Sequence, residues 1–202
     1  MEKRWDLPVD PLAKDWAEKA FPKGPPLLVV HPSASKPERN WSAQSYAEVI
    51  NRAHQEWGVK AVITGGAACD EIELGNQIHD LTGEKATLLV GKTGLKQLCA
   101  LLARADVVVA PDTGVIHIAS ALNTPVIGLY AVAPSELAGP YNHPHLVVDR
   151  YMKANGGFVD PSSPSRIKRI RQGSPMSLIT VEDVLEKLET LFLNHNSQTN
   201  IS

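Results

Sequence analysis

The sequence predicts an α/β fold in which a parallel sheet is covered by helices on both faces, and three observations carry that prediction. Short runs rich in Val, Ile and Leu alternate with segments of helical apolar periodicity along most of the chain. Capping or breaking residues bound the helical segments. The chain has 202 residues and is 43% hydrophobic, which is enough for one sizeable core.

Taken in order, a short helix over Pro11–Phe21 feeds a Lys23-Gly24-Pro25-Pro26 linker, where Gly and Pro interrupt regular structure. Strand Leu27–His31 follows as an apolar run. Helix Ser42–Trp57 begins at a Ser N-cap and is ended by Gly58. Strand Lys60–Thr64, helix Ala67–Leu81 with Gly83 just past it, strand Ala86–Val90 and helix Gly94–Arg104 continue the alternation. Strand Asp106–Ala110, helix Thr113–Leu122, strand Pro125–Leu129 and a weaker strand His145–Val148 complete the sheet. Residues Arg150–Ser177 are rich in Pro, Ser, Gly and Arg and read as a long irregular connection. Thr180 caps a final amphipathic helix, Val181–Leu193, and the polar tail from Asn194 is expected to fray.

Composition narrows the function classes. A net charge of -2 argues against nucleic acid as a partner. No signal peptide and no apolar stretch long enough to span a bilayer are visible, so membrane contact is expected to be peripheral at most. Cys69 and Cys99 fall in helical segments without metal-ligand spacing; they read as buried, reduced thiols, and no metal site is expected.

The most informative stretch is Asp112-Thr113-Gly114-Val115-Ile116-His117, which follows the β run Asp106–Ala110 and opens a helix. The first turn of a helix has unpaired N–H groups and partial positive charge, and a Gly there lets a phosphate approach the backbone. Asp112 or Thr113 can cap this helix, and His117 lies three residues beyond Gly114 on the same face. Asp-Thr-Gly is also the triplet of aspartic proteases, but that triplet sits in an all-β setting and this one leads into a helix. With strands in the doubly wound order 3-2-1-4-5-6, the crevice between the first and fourth strands is flanked by the loops Pro32–Trp41 and Pro111–His117. The first of these loops offers hydroxyls, free N–H groups and two cations, all suited to a diphosphate. Thr64-Gly65-Gly66 is a third candidate wall. It has neither the Lys-Ser/Thr ending of a Walker loop nor the Gly-x-Gly-x-x-Gly spacing of a dinucleotide site, and this disfavours a nicotinamide-dependent oxidoreductase.

Several motifs, in this order and spacing, are familiar. They are Leu27–Trp41 with its Pro-Ser-Ala-Ser and Arg-Asn-Trp, Val62-Ile63-Thr64-Gly65-Gly66, Gly91-Lys92-Thr93-Gly94-Leu95, the Asp112–His117 turn, Ala121–Tyr130, and Met176-Ser177-Leu178-Ile179-Thr180. With them the chain resembles the C-terminal half of glycosyltransferase family 9, the ADP-heptose:lipopolysaccharide heptosyltransferases. The resemblance implies a Rossmann-like doubly wound sheet, the C-terminal half of a GT-B enzyme, holding an ADP-heptose donor and needing no further cofactor.

Carried over by position, the resemblance implies that Ser33 and Ser35 contact the diphosphate, with Arg39 where the family usually has a Lys. Thr93 and Leu95 border the adenine, Asp112, Thr113 and Gly114 hold the sugar and phosphates, and His117 supports the turn. Arg for Lys exchanges a point cation for a planar fork. Some members place a ribose-binding carboxylate near Ala68, for which Asp70 and Glu71 are the nearest candidates here.

The family likeness further implies inversion by single displacement, with a carboxylate base in an N-terminal half and leaving-group stabilisation by the loops here. No catalytic base is therefore expected among these residues. Residues 1–26 read as a hinge segment and linker from a missing N-terminal domain, 27–193 as the nucleotide-sugar-binding domain and 194–202 as the tail. The acceptor, the lipopolysaccharide core, would be met through that missing domain, in the cytoplasm, with at most peripheral contact at the inner face of the bacterial inner membrane. The alternative is a non-catalytic nucleotide-binding module or a truncated gene product. In a polar loop, Arg39 is expected to matter for ligand rather than for stability, and Gly114→Val to strain the turn as well as block it.

Overall fold

Three apolar runs, Leu27–Val30 (β1), Val107–Pro111 (β4) and Val126–Tyr130 (β5), are buried at every residue, as central strands covered on both faces must be. In the computed structural model, which describes residues 5, 7–157, 169–170 and 173–199 with side chains to residue 193, they form the middle of a six-stranded sheet. Lys60–Ile63 (β2), Ala86–Leu88 (β3) and Val148–Asp149 (β6) complete it in the order β3-β2-β1-β4-β5-β6, with every pairing parallel. Val30 is in register with Ile63 on one side and Val109 on the other. The chain thus winds outward in both directions from β1, leaving a crevice beyond the carboxyl ends of β1 and β4.

Alternation along the strands sends neighbouring side chains into two cores. Leu28 and Val30 join Tyr46 and Ile50 of helix α2 (Ala43–Trp57), Ile78 of α3 (Cys69–Thr82) and Leu188 of α8 (Val181–Thr199). Leu27 and Val29 join Leu101 and Leu102 of α4 (Leu95–Arg104) and Ile116 of α5 (Gly114–Ala121). Helix α1 (Pro11–Ala20) packs through Ala13 and Ala17 onto Ala100. Its Asp10 cap accepts from the Leu12 and Ala13 amides and pairs with Lys96 at 2.9 Å.

Local chemistry sets the helix ends. Ser42 accepts from the Ser45 amide at 3.0 Å, and Gly58 and Gly83 take positive φ (65° and 58°) where the chain turns out of α2 and α3. Thr180 and Asp183 cap each other's amides at the start of α8.

Four expectations change. Pro144 starts a tight turn over Pro144–Leu146, which delays the last strand to Val148–Asp149. The stretch expected to be irregular contains a one-turn helix, α7 (Tyr151–Ala154), whose Tyr151 is buried, and a turn at Pro175–Leu178; 158–168 and 171–172 lie outside the described residues. The last helix runs past Leu193 to Thr199, because no Gly or Pro interrupts it there. Cys69 is exposed rather than buried, being the first residue of α3, and Cys99 is partly buried; both are free. Between β5 and β6 a short helix, α6 (Ser135–Ala138), had no clear signal in the sequence.

Candidate functional site

At the crevice the chain leaves β1 through His31 and enters the Pro32–Trp41 loop, which is fastened at three points. Asn40 Oδ1 accepts from the Ala34 amide at 2.7 Å, closing the loop on itself. Trp41, buried against Tyr46, donates its indole N–H to the Ile179 carbonyl at 3.1 Å. Arg39 Nη1 reaches across to the loop after β4 and donates to Asp112, to its carboxylate Oδ2 at 3.1 Å and its carbonyl at 3.2 Å.

The pair is mostly shielded: the Arg39 and Asp112 side chains are 13% and 17% exposed. Arg39 is therefore not a freely solvated loop residue, and the expectation that it matters little for stability is revised. Removing the guanidinium would strand a carboxylate away from bulk water.

Thr113 rather than Asp112 is the cap of α5, its hydroxyl accepting from the Val115 amide at 3.1 Å. That division of labour leaves Asp112 for Arg39. Gly114 is exposed, and a Cβ added there would meet nothing within 4 Å. Its backbone is not in the left-handed region, so the strain expected from a side chain is absent. What the open space supplies is access to the helix N-terminus.

The remaining site residues are spread along the same sheet edge. Ser33 is buried (5% exposed) and Ser35 exposed, so their hydroxyls stand in different environments. Thr93 and Leu95 lie at the entry to α4, Leu95 with 67% of its surface free. Their turn is joined to Thr64-Gly65-Gly66 by a hydrogen bond from the Gly91 amide to the Gly65 carbonyl at 3.0 Å. Of the two carboxylates nearest Ala68, Glu71 is already engaged, accepting from the Gly66 amide at 2.7 Å. His117 is exposed and lines an apolar cavity of about 770 Å³ with Trp5, Leu7, Leu137 and Tyr141 on the outer side of α5. The structure thus brings Arg39, Asp112, Thr113 and Gly114 together, and His117 borders both their turn and this cavity.

Sequence reasoning missed His31, the first residue past β1. Its amide donates to the Val109 carbonyl at 3.0 Å, and its Nδ1 lies 3.1 Å from Thr64 Oγ1. Burial lowers its pKa from the ordinary 6.5 to about 4, so the ring is neutral at pH 7. Between pH 6.5 and 4 the unfolded chain takes up a proton that the folded ring refuses, so stability falls as pH falls. The loss across that window is expected to reach about 3 kcal/mol, since withholding one proton over each pH step of one is worth about 1.4 kcal/mol. Urea titrations at pH 7 and pH 4.5 measure it, and a His31→Gln variant should show a distinctly shallower dependence.

Among the described residues no group of three or more His, Cys, Asp or Glu stands close enough to hold a metal ion. No helix among them is long and apolar enough to cross a membrane.

Comparison with known proteins adds to this geometry. The family model for glycosyltransferase family 9 (heptosyltransferase) matches residues 1–159. The lipopolysaccharide core heptosyltransferase OpsX of Haemophilus influenzae is 34% identical over 194 residues, 95% of this chain and 56% of that protein. Lipopolysaccharide heptosyltransferase 2 of Escherichia coli is 30% identical over 182 residues, 85% of this chain and 48% of that one. Among solved structures, the E. coli ADP-heptose lipopolysaccharide heptosyltransferase II has a TM-score of 0.68 at 24% identity, covering 94% of this chain and 54% of that chain. A family 9 glycosyl transferase from Veillonella parvula reaches 0.73 at 19% identity, covering 93% and 53%. At these identities the structural likeness speaks to the fold. The chain spans about half the length of the relatives it matches.

Proposed function

The chain belongs to glycosyltransferase family 9, and on that premise we propose that its sheet edge binds an ADP-sugar, ADP-heptose, as donor for transfer to the lipopolysaccharide inner core. One observation carries the reading: Arg39 and Asp112, from loops 73 residues apart, meet at the crevice beside the open N-terminus of α5. A guanidinium and the positive end of a helix that begins at an accessible Gly114 are groups that stabilise a leaving diphosphate.

In the proposed reaction an acceptor hydroxyl displaces the nucleoside diphosphate in one inverting step. Arg39 and the positive N-terminus of α5 take up the charge that develops on the departing oxygen. The general base and the acceptor site belong, in this reading, to the part of the longer relatives that these residues do not match. The protein works in the cytoplasm, with contact at the inner face of the membrane no more than peripheral.

Titration calorimetry with ADP, GDP and UDP tests donor recognition. ADP is expected to bind weakly but measurably and ahead of the other two. No heat with ADP, or a clear preference for UDP, would sink the reading. A second expectation concerns the chemistry: the 202-residue chain incubated with ADP-heptose and deacylated lipopolysaccharide should form no product at rates typical of an enzyme. Loss of a general base alone costs about 10²–10⁴ in rate. Rapid product formation would show that the base lies among these residues.

A further inference from the structure

His31 stands at the centre of the carboxyl edge with no role in the diphosphate contacts. It continues β1, with Val109 of β4 on one side and Thr64 on the other. By strand alternation it shares the face of Leu27 and Val29, the face covered by α4 and α5. Thr64, two residues beyond Val62, has the same parity. His31 therefore lies on the side of the crevice flanked by the Thr93–Leu95 turn and the Gly114 turn, which begin those two helices.

The neighbours of the ring suit one placement of its proton. Thr64 Oγ1 has one hydrogen and donates it to the Val30 carbonyl, at 3.4 Å. With that hydrogen on the carbonyl, Thr64 Oγ1 accepts from His31 across 3.1 Å, the arrangement in which Nδ1 is the N–H. The opposite nitrogen, Nε2, is left with a bare lone pair. It has no partner among the described residues, and it is not one of the sealed, unsatisfied atoms of the interior. Burial keeps the ring uncharged at neutral pH.

A neutral acceptor is the wrong group for a phosphate, since lone pair would face lone pair. It suits an O–H donor. We propose that His31 Nε2 accepts a hydrogen bond from a sugar hydroxyl of the bound nucleotide-sugar, with Thr64 as the positioning residue that holds the ring in the accepting tautomer. The hydroxyl belongs either to the ribose or to the donor sugar. This assignment rests on the donor-site reading above and adds to it a selection for the sugar, separate from the selection for phosphate at Arg39.

The test uses the whole chain and calorimetry with ADP, 2′,3′-dideoxy-ADP and ADP-heptose, comparing wild type with His31→Phe. A neutral hydrogen bond corresponds to a loss of about three- to tenfold in affinity. If the partner is a ribose hydroxyl, His31→Phe weakens ADP and ADP-heptose by that factor and leaves dideoxy-ADP unchanged. If it is on the donor sugar, only ADP-heptose weakens. Equal loss with dideoxy-ADP, or no loss with any ligand, overturns the proposal while leaving the donor-site reading intact. Wild type that binds none of the three removes both.

A measurement on the wild-type protein stands independently of how the variant folds. Long-range ¹H–¹⁵N spectra should show His31 with a pyrrole-type Nδ1 and a pyridine-type Nε2 whose signal moves when ADP-heptose is added. The reverse tautomer, or an Nε2 signal indifferent to the ligand, overturns the assignment.

Discussion

A Gly114→Val variant is expected to lose ADP affinity by roughly ten- to a hundredfold while melting within a few degrees of wild type. The two effects separate because of where the open space lies. A Cβ at Gly114 meets no atom within 4 Å, and the backbone there is not in the left-handed region, so the folded protein tolerates the side chain. The same space is the approach to the Gly114 amide at the start of α5. A valine there keeps a phosphate from the Gly114 amide, a charge-assisted hydrogen bond worth about 1.5–3 kcal/mol or roughly ten- to a hundredfold in affinity, and from the positive end of the helix. Gly114→Ala, with one methyl group, should fall between. Calorimetry and thermal melts on the same preparations decide: ADP affinity within threefold of wild type would remove the helix N-terminus from the site, and a collapsed melt would make Gly114 structural.

Arg39→Ala should affect binding and folding together. Nη1 is committed to Asp112, and Arg39 presents further guanidinium donors from the same side chain. Its removal is expected to weaken ADP by roughly ten- to a hundredfold and to leave adenosine, which has no phosphate, nearly unaffected. Stability should fall by about 1.5–3 kcal/mol, because Asp112 is left shielded and unpaired. The double variant Arg39→Ala, Asp112→Ala removes the stranded charge and should regain much of that stability without regaining affinity. Urea unfolding of the two variants is the measurement. Single-variant stability within about 0.5 kcal/mol of wild type would mean the pair contributes nothing to the fold.

What the sequence reveals of this protein follows the range over which its causes act. Ser42, Gly58 and Thr180 work on amides within a few residues, and the helix ends they mark are legible in the chain. The alternation of apolar runs and helical periods likewise contains the sheet and its winding. The one-turn helices Ser135–Ala138 and Tyr151–Ala154 are too short for a period to show, and the first depends on support from 14 residues away. The amides of Ser135 and Tyr151 both donate to the carboxylate of Asp149, on β6.

The site divides in the same way. The Gly114 turn is local chemistry and stands out in the sequence. The union of Arg39 with Asp112 spans 73 residues and becomes visible only when β1 and β4 lie side by side. His31 and Thr64 are 33 residues apart, yet each is the first residue past its strand. A doubly wound order places those two strand ends next to each other, and that signal was available.

The sheet ends on two very short strands, three residues at β3 and two at β6. An outer strand of that length offers a second chain few free backbone groups to pair with, so the sheet is a poor template for edge-to-edge growth. Aggregation by strand addition is therefore blunted at both margins. Any lasting association of this domain has to be made through side chains on its helices and loops, where shape and charge can discriminate between partners in a way that an exposed ladder of amides and carbonyls does not.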